Sequence, residues 1–166
     1  MSEQTTNERA RAGIEQAIYQ GLLHLDARKF ELWLHATAPE FRYRIEAHSP
    51  ELRKRMTWLA HDRDGLRALL ELLPKHHTNS AVWTRHGVVY TIASSGPDSW
   101  NVVTSLAAYH TVVDVGDAHA QAGSSHLFAV GRYHDVIRLI DGAWVLSERT
   151  VRLDTLQLGI GSHFIV

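Results

Sequence analysis

Hydrophobic positions change period once along the chain, and the change divides it into an α-rich first half and a β-rich second half. Ile14, Ala17, Ile18, Gly21, Leu22 and Leu25 recur at helical spacing. They predict an amphipathic helix from about Asn7, behind a disordered lead over Met1–Asn7. Asp26 is placed to cap a second helix, because a carboxylate there accepts otherwise unpaired N–H groups. Phe30, Trp33 and Leu34 give that helix a buried face, and Pro39 ends it. Glu40–Ala47 alternates, with Phe41, Tyr43 and Ile45 on one side, and predicts a strand. Asp64 opens a further helix carrying Leu66, Leu69, Leu70 and Leu73. Pro74 stops it, and Lys75, His76 and His77 follow where the helix dipole favours positive charge.

The stretch between these elements reads two ways. Ser49-Pro50-Glu51 is a good helix start, with Pro at the first helical position. Leu52, Met56 and Leu59 keep helical spacing, yet Met56, Trp58 and Ala60 also alternate. From Val82 onward the period is two. Val82–Ala93 is a strand, Ser94–Asp98 a turn, and Trp100–Val115 a strand long enough to need a bend or bulge. Gly116-Asp117 begins a loop. Ser124–Ile140 is another long strand, Asp141-Gly142 suits a type I′ turn, and Ala143–Leu153 pairs back. Leu156–Val166 is an apolar tail. The sum is one α+β domain over 8–166, with the helices segregated onto one face of a strongly curved antiparallel sheet.

The strand from Ser124 to Ile140 carries an irregular pattern. One side holds Leu127, Ala129, Tyr133, Ile137 and Leu139. The other mixes Phe128, Val130, Val136 and Ile140 with His126, Arg132, His134 and Arg138. A sheet with one solvated face alternates cleanly. This one is half apolar on both sides. Either both faces are packed within the chain, or a partner covers part of the outer one.

Composition narrows the chemistry. The 166 residues include no cysteine. That excludes disulfides, thiolate zinc sites, cysteine nucleophiles and a self-contained cysteine-ligated cluster. Seventeen Lys and Arg against eighteen Asp and Glu give a net charge of −1, which argues against phosphate-driven nucleic-acid binding. No apolar run approaches the ~20 residues of a membrane helix. The polar N-terminal stretch lacks a signal peptide's apolar segment, so a cytoplasmic location is expected.

Twelve histidines raise the question of a metal. No H-E-x-x-H sets two ligands on one helix face, and adjacent His76-His77 diverge on regular structure. No G-x-S-x-G or Gly-rich phosphate loop is present, and Gly159-Ile160-Gly161 lacks a strand-then-helix context. Acid–base chemistry has one candidate. Thr104, Ala108, His110 and Asp114 share a strand face, so His110 and Asp114 form a possible catalytic pair. The competing reading is a histidine hydrogen-bonded within the fold or lying on its outer surface. Trp33, Trp58 and Trp144 fall in core patterns, whereas Trp100, just after a turn, is expected to be partly exposed. Aromatic and arginine side chains are enriched at protein interfaces. Trp100, His126, Arg132, His134 and Arg138 are therefore the candidate partner-interface residues.

Several strings, taken in order, resemble the small (beta) subunits of bacterial Rieske-type aromatic-ring-hydroxylating dioxygenases. They begin with Leu25-Asp26-Ala27-Arg28-Lys29-Phe30-Glu31-Leu32-Trp33-Leu34, then Phe41-Arg42-Tyr43 and Thr84-Arg85-His86. Gly131-Arg132-Tyr133-His134-Asp135-Val136-Ile137-Arg138 follows. Asp141-Gly142-Ala143-Trp144 and Arg149-Thr150-Val151-Arg152-Leu153-Asp154 close the series. The resemblance implies a cystatin-like, nuclear-transport-factor-2-like cone, with N-terminal helices packed into a strongly curved antiparallel sheet. It also implies that Lys54–His61 is extended. The Rieske [2Fe-2S] cluster and mononuclear iron are then expected in a partner large (alpha) subunit, with no cofactor or metal in this chain. The implied role is a structural subunit that forms trimers, binds the large subunit and meets a reductase and electron-transfer protein only indirectly. Neither nucleic acid nor membrane is implied as a partner. Substrates of the family range from aromatic acids and hydrocarbons to small sulfonates. The same cone also hosts isomerases, dehydratases and cyclases, for which His110 and Asp114 would be the pair, and ligand-binding modules.

Overall fold

The structure, a computed structural model, describes residues 3–51, 53–76, 81–113, 123–155 and 165–166. Helix α1 spans Glu3–Asp26 and α2 spans Phe30–His35, followed by strands β1 (Thr37–Ser49) and β2 (Lys54–Asp62). Helix α3 (Arg63–His76) precedes β3 (Val82–Gly96), β4 (Ser99–Thr111), β5 (Ser125–Ile140) and β6 (Ala143–Leu153). The six strands form one sheet in the order β2-β1-β6-β5-β4-β3.

Helix α1 buries the stripe that its spacing predicts: Ile14, Ile18, Leu22 and Leu25 are all nearly inaccessible. It starts at Glu3 rather than near Asn7, so helix replaces the expected disordered lead from Glu3 onward. Its end is a Schellman motif. The Lys29 N–H bonds the His24 carbonyl at 2.8 Å, the Arg28 N–H bonds Leu25 at 3.1 Å, and Arg28 takes φ 54°. Asp26 therefore closes α1 and does not cap α2. Lys29 holds the cap position of α2 and makes no side-chain cap bond. Pro39 does not end α2 either: the helix stops at His35, and Pro39 lies within β1.

On β1 the alternation holds, with Phe41, Tyr43 and Ile45 at most 1% exposed. The ambiguous stretch is strand β2, as the family resemblance implies. As an edge strand it leaves Trp58 37% exposed, so Trp58 is not a core residue. Helix α3 runs on to His76, which puts Pro74 in its last turn instead of at its stop. A proline there forfeits a single backbone bond, to residue 70, and the helix ends soon after.

The sheet is mixed, not antiparallel throughout. β1 pairs β6 in parallel, while every other pair is antiparallel. Parallel neighbours need a long crossover, and here nearly the whole domain separates the two strands. Register shifts at Ile45/Glu46, Val89/Thr91, Ala108/Tyr109 and Val136/Ile137 supply the bends that curve such a sheet into a cone. The bulge on β5 sets Leu127 opposite Tyr109 and Ala129 opposite Ala108, leaving Phe128 as the extra residue. Phe128 and Ala129 are consequently both buried, and Leu127, grouped by period with Ala129 and Tyr133, is 54% exposed. Asp141 (φ 51°) and Gly142 (φ 79°) both lie at positive φ between Ile140 and Ala143, as a type I′ turn requires.

Candidate functional site

The inward face of the sheet carries two ionic links, while Thr104 Oγ1, Tyr133 Oη, Arg85 Nε and Arg149 Nη1 are buried there without a hydrogen-bond partner among the described residues. Asp135 on β5 and Arg149 on β6 are register partners. Arg149 Nε donates to Asp135 Oδ1 at 2.9 Å and Nη2 to Oδ2 at 2.7 Å. Both side chains are at most 1% exposed. The Arg149 guanidinium also lies 3.9 Å from the centre of the Tyr133 ring. Burial opposes the charge on Arg149, but Asp135's charge and hydrogen bonds outweigh it and raise the guanidinium pKa above its ordinary value. Burial likewise pushes the Tyr43 and Tyr133 hydroxyls above the usual tyrosine range.

A second ionic link joins helix to sheet. Asp26 at the end of α1 accepts the Arg85 backbone N–H at 3.0 Å and its Nη1 at 2.7 Å. Arg85 Nη2 then donates to the Ile165 carbonyl at 2.6 Å. The Tyr43 hydroxyl donates to the Val166 carbonyl at 3.0 Å and accepts the Val166 N–H at 3.1 Å. Ile165 and Val166 are each 2% exposed. The cone interior is thus occupied by the chain's own groups.

His110 lies further along the inward face. Its ring is 5.7 Å from Trp83, 5.4 Å from His126 and 6.2 Å from Phe128. Burial and then the neighbouring His126 lower its pKa below the ordinary histidine value. Asp114 lies outside the described residues, as do His77 and Gly159-Ile160-Gly161. No group of three or more His, Asp or Glu side chains among the described residues comes together as a metal site. A Rieske centre needs two cysteines and two histidines, and a chain without cysteine does not fit it.

The five candidate interface residues do not share one face. Trp100 packs inward, its ring 4.9 Å from Trp144, and His126 sits beside His110. Arg132, His134 and Arg138 lie on the outer face of β5. That outer face has two parts. Across β3, β4 and β5, Thr84, Tyr109 and Leu127 are register neighbours, as are His86, Ala107 and Val130. With exposed Val82, Val88 and Tyr90 on β3 they form an apolar and aromatic area. The His86 and Tyr109 rings meet edge-on at 5.5 Å. Across β5, β6, β1 and β2 the face is ionic, with Arg42–Glu148 at 2.7 Å and Arg138–Glu40 at 2.5 Å.

Sequence reasoning missed the buried Asp135–Arg149 pair, the part-buried Asp26–Arg85 pair and the apolar β3–β4 area. The outward alternation of Val82, Val88 and Tyr90 on β3 was the available signal for the latter.

Residues 8–150 match the model of the SnoaL-like domain family. The chain is 38% identical to the beta subunit of the methanesulfonate monooxygenase hydroxylase of Methylosulfonomonas methylovora, over 91% of this chain and 84% of that one. It is 28% identical to the beta subunit of 2-aminobenzenesulfonate 2,3-dioxygenase of an Alcaligenes species, over 90% and 95%. Among solved structures, an aromatic-ring-hydroxylating dioxygenase beta subunit of Novosphingobium aromaticivorans superposes with a TM-score of 0.77. That alignment covers 93% of this chain and 95% of the other at 18% identity, a likeness of fold.

Proposed function

This chain belongs to the SnoaL-like domain family and, within it, to the beta subunits of multicomponent oxygenases; from that premise we propose that it is a non-catalytic scaffold for a large subunit carrying the Rieske cluster and mononuclear iron. The observation that carries the reading is the contrast between a self-occupied cone and an exposed apolar outer sheet. The ionic groups inside are paired with each other, and Tyr43 and Arg85 hold Ile165–Val166 there. Solvated sheet faces are polar, whereas Val82, Val88, Tyr90 and Leu127 stand more than half exposed. Contiguous apolar surface of this kind marks a protein contact.

In this reading the chain forms a cytoplasmic trimer and binds the large subunit in equal numbers. Electrons reach the large subunit from a reductase, without passing through this chain. The two oxygenase relatives described above are named for sulfonates, which favours an organosulfonate as the assembly's substrate. Co-expression with the large subunit tests the assignment. Equal co-purification is expected, together with sulfonate-dependent oxygen uptake only when large subunit, reductase and electron donor are all present. Isolated chain that turns over substrate alone, or that never binds the large subunit, contradicts it.

A further inference from the structure

The ionic part of the outer face contains a groove of about 270 Å³ near the β1–β2 hairpin, lined by Glu46, Arg55, Arg132, His134, Arg152 and Asp154 among others. We propose that this groove docks an acidic segment of the large oxygenase subunit, an inference that rests on the scaffold reading above.

Its arginines are under-neutralised. Glu46 is shared by Arg44 at 3.4 Å, Arg55 at 3.8 Å and Arg152 at 4.0 Å. Asp154 stands 3.7 Å from Arg132. Three groove-lining guanidiniums, those of Arg55, Arg132 and Arg152, thus face two carboxylates, and Arg44 beside the groove also draws on Glu46, on a chain whose net charge is −1. None of these separations reaches the roughly 2.7–2.9 Å of a good charge-assisted bond. Pairs elsewhere on the same face do, as Arg42–Glu148 shows at 2.7 Å. Arg152 Nε is buried and has no hydrogen-bond partner.

The imidazole of His134 reports the local field. It lies 3.4 Å from Arg152 Nη1. Burial, then Arg152, then Arg55 lower its pKa, while Asp135 acts the other way and Arg132 adds to the lowering. The guanidiniums of Arg44, Arg55 and Arg132 are half exposed. Incoming carboxylates can therefore reach them in the planar two-point geometry that arginine favours.

A second copy of this chain is the competing occupant. Its Glu15, Glu40, Asp64 and Glu148 are held by its own arginines, but Glu8, Glu51, Glu71, Asp98 and Asp141 are also exposed. Self-association measured beside large-subunit binding separates the two occupants.

The test uses co-expressed large and small subunits. The double variant Arg55→Glu, Arg132→Glu is compared with wild type and with Arg11→Glu, a charge reversal on α1. The groove variant is expected to bind the large subunit at least about tenfold more weakly, with a shallower salt dependence, since charges at an interface rim govern both. Its melting temperature and the binding of Arg11→Glu should stay at wild-type values. The His134 pKa, followed by NMR in the wild-type assembly, should rise when the acidic segment is seated. Assembly of the groove variant with unchanged affinity and salt dependence overturns the groove proposal and leaves the scaffold reading intact. Loss of self-association with unchanged large-subunit binding also overturns it, by making the occupant a second copy. Failure of wild type to bind the large subunit refutes the scaffold reading itself. If the double variant unfolds, Arg132→Gln alone carries the same comparison.

Discussion

The inner and outer faces of the sheet both carry arginines, but they use them differently. Inside, Arg149 and Asp135 pair at 2.7 and 2.9 Å with almost no exposure. Outside, Arg55, Arg132 and Arg152 stand 3.7–4.0 Å from their carboxylates at 41–52% exposure. Desolvated charges are tolerable only in pairs, and removing one partner strands the other. Solvated charges contribute little to stability. The inner arginines therefore hold the fold, and the outer ones are free to serve association. A substitution should move either stability or assembly according to the face it occupies.

The largest effect is expected from Asp135→Ala, which leaves Arg149 buried and uncompensated. Breaking a buried pair this way costs about 3–5 kcal/mol. Urea denaturation should show the loss as a lower midpoint. An unchanged midpoint would remove the distinction between the faces.

Next comes the hairpin that joins β5 to β6 and so sets the Asp135–Arg149 register. Gly142→Val places a β-branched residue at φ 79° and should cost about 1–3 kcal/mol. A denaturation midpoint equal to wild type, at equal slope, would show that this turn does not fix the register.

Acid should act on both faces through lowered histidine pKa values. His110 is lowered by burial and then His126, and His134 by burial and then Arg152 and Arg55. The unfolded chain, with histidines near about 6.5, then binds more protons than the native one. Stability is fully present above that pH and falls as pH drops through it toward the lowered native values. His134→Gln should flatten the decline measured by thermal melts between pH 7 and pH 5. An identical slope in the variant would show that His134 takes no part.

The smallest stability effect is expected on the apolar outer face. Tyr90→Asp alters a residue 58% exposed, so stability should change by no more than about 0.5 kcal/mol. Its consequence should appear in assembly, as reduced co-purification with the large subunit or a reduced trimer fraction by sedimentation. Wild-type assembly by this variant would show the area to be ordinary surface.

How much of this was legible in the sequence depends on the range of the interaction. Local patterns sufficed for the α1 stripe, for Phe41, Tyr43 and Ile45 on β1, and for Asp141-Gly142. They failed where a partner lay far along the chain. Asp26 looked like a helix cap because its real partner, Arg85, is 59 residues away. Trp58 looked like core because alternation does not reveal that β2 is an edge. Leu127 shares a side with Ala129 and Tyr133 by period counting, but the extra residue Phe128 shifts the alternation, and period counting alone does not locate a bulge. The parallel pairing of β1 with β6 has no local signature. Of the candidate interface residues, Arg132, His134 and Arg138 lie on the outer face, while Trp100 and His126 lie on the other side of the sheet, with His126 exposed. The family resemblance resolved Lys54–His61, where tertiary pairing overrode a helix-start signal.

The central claim is that chemistry resides in the large subunit and not at the inward histidine of this chain. The direct measurement is kcat of the assembled oxygenase carrying His110→Ala, with iron content and subunit ratio determined on the same preparation. A kcat within about twofold of wild type, a change of roughly 0.4 kcal/mol in barrier, is the predicted result. A loss of a hundredfold or more with iron and assembly unchanged would place a catalytic group in this cone and contradict the account.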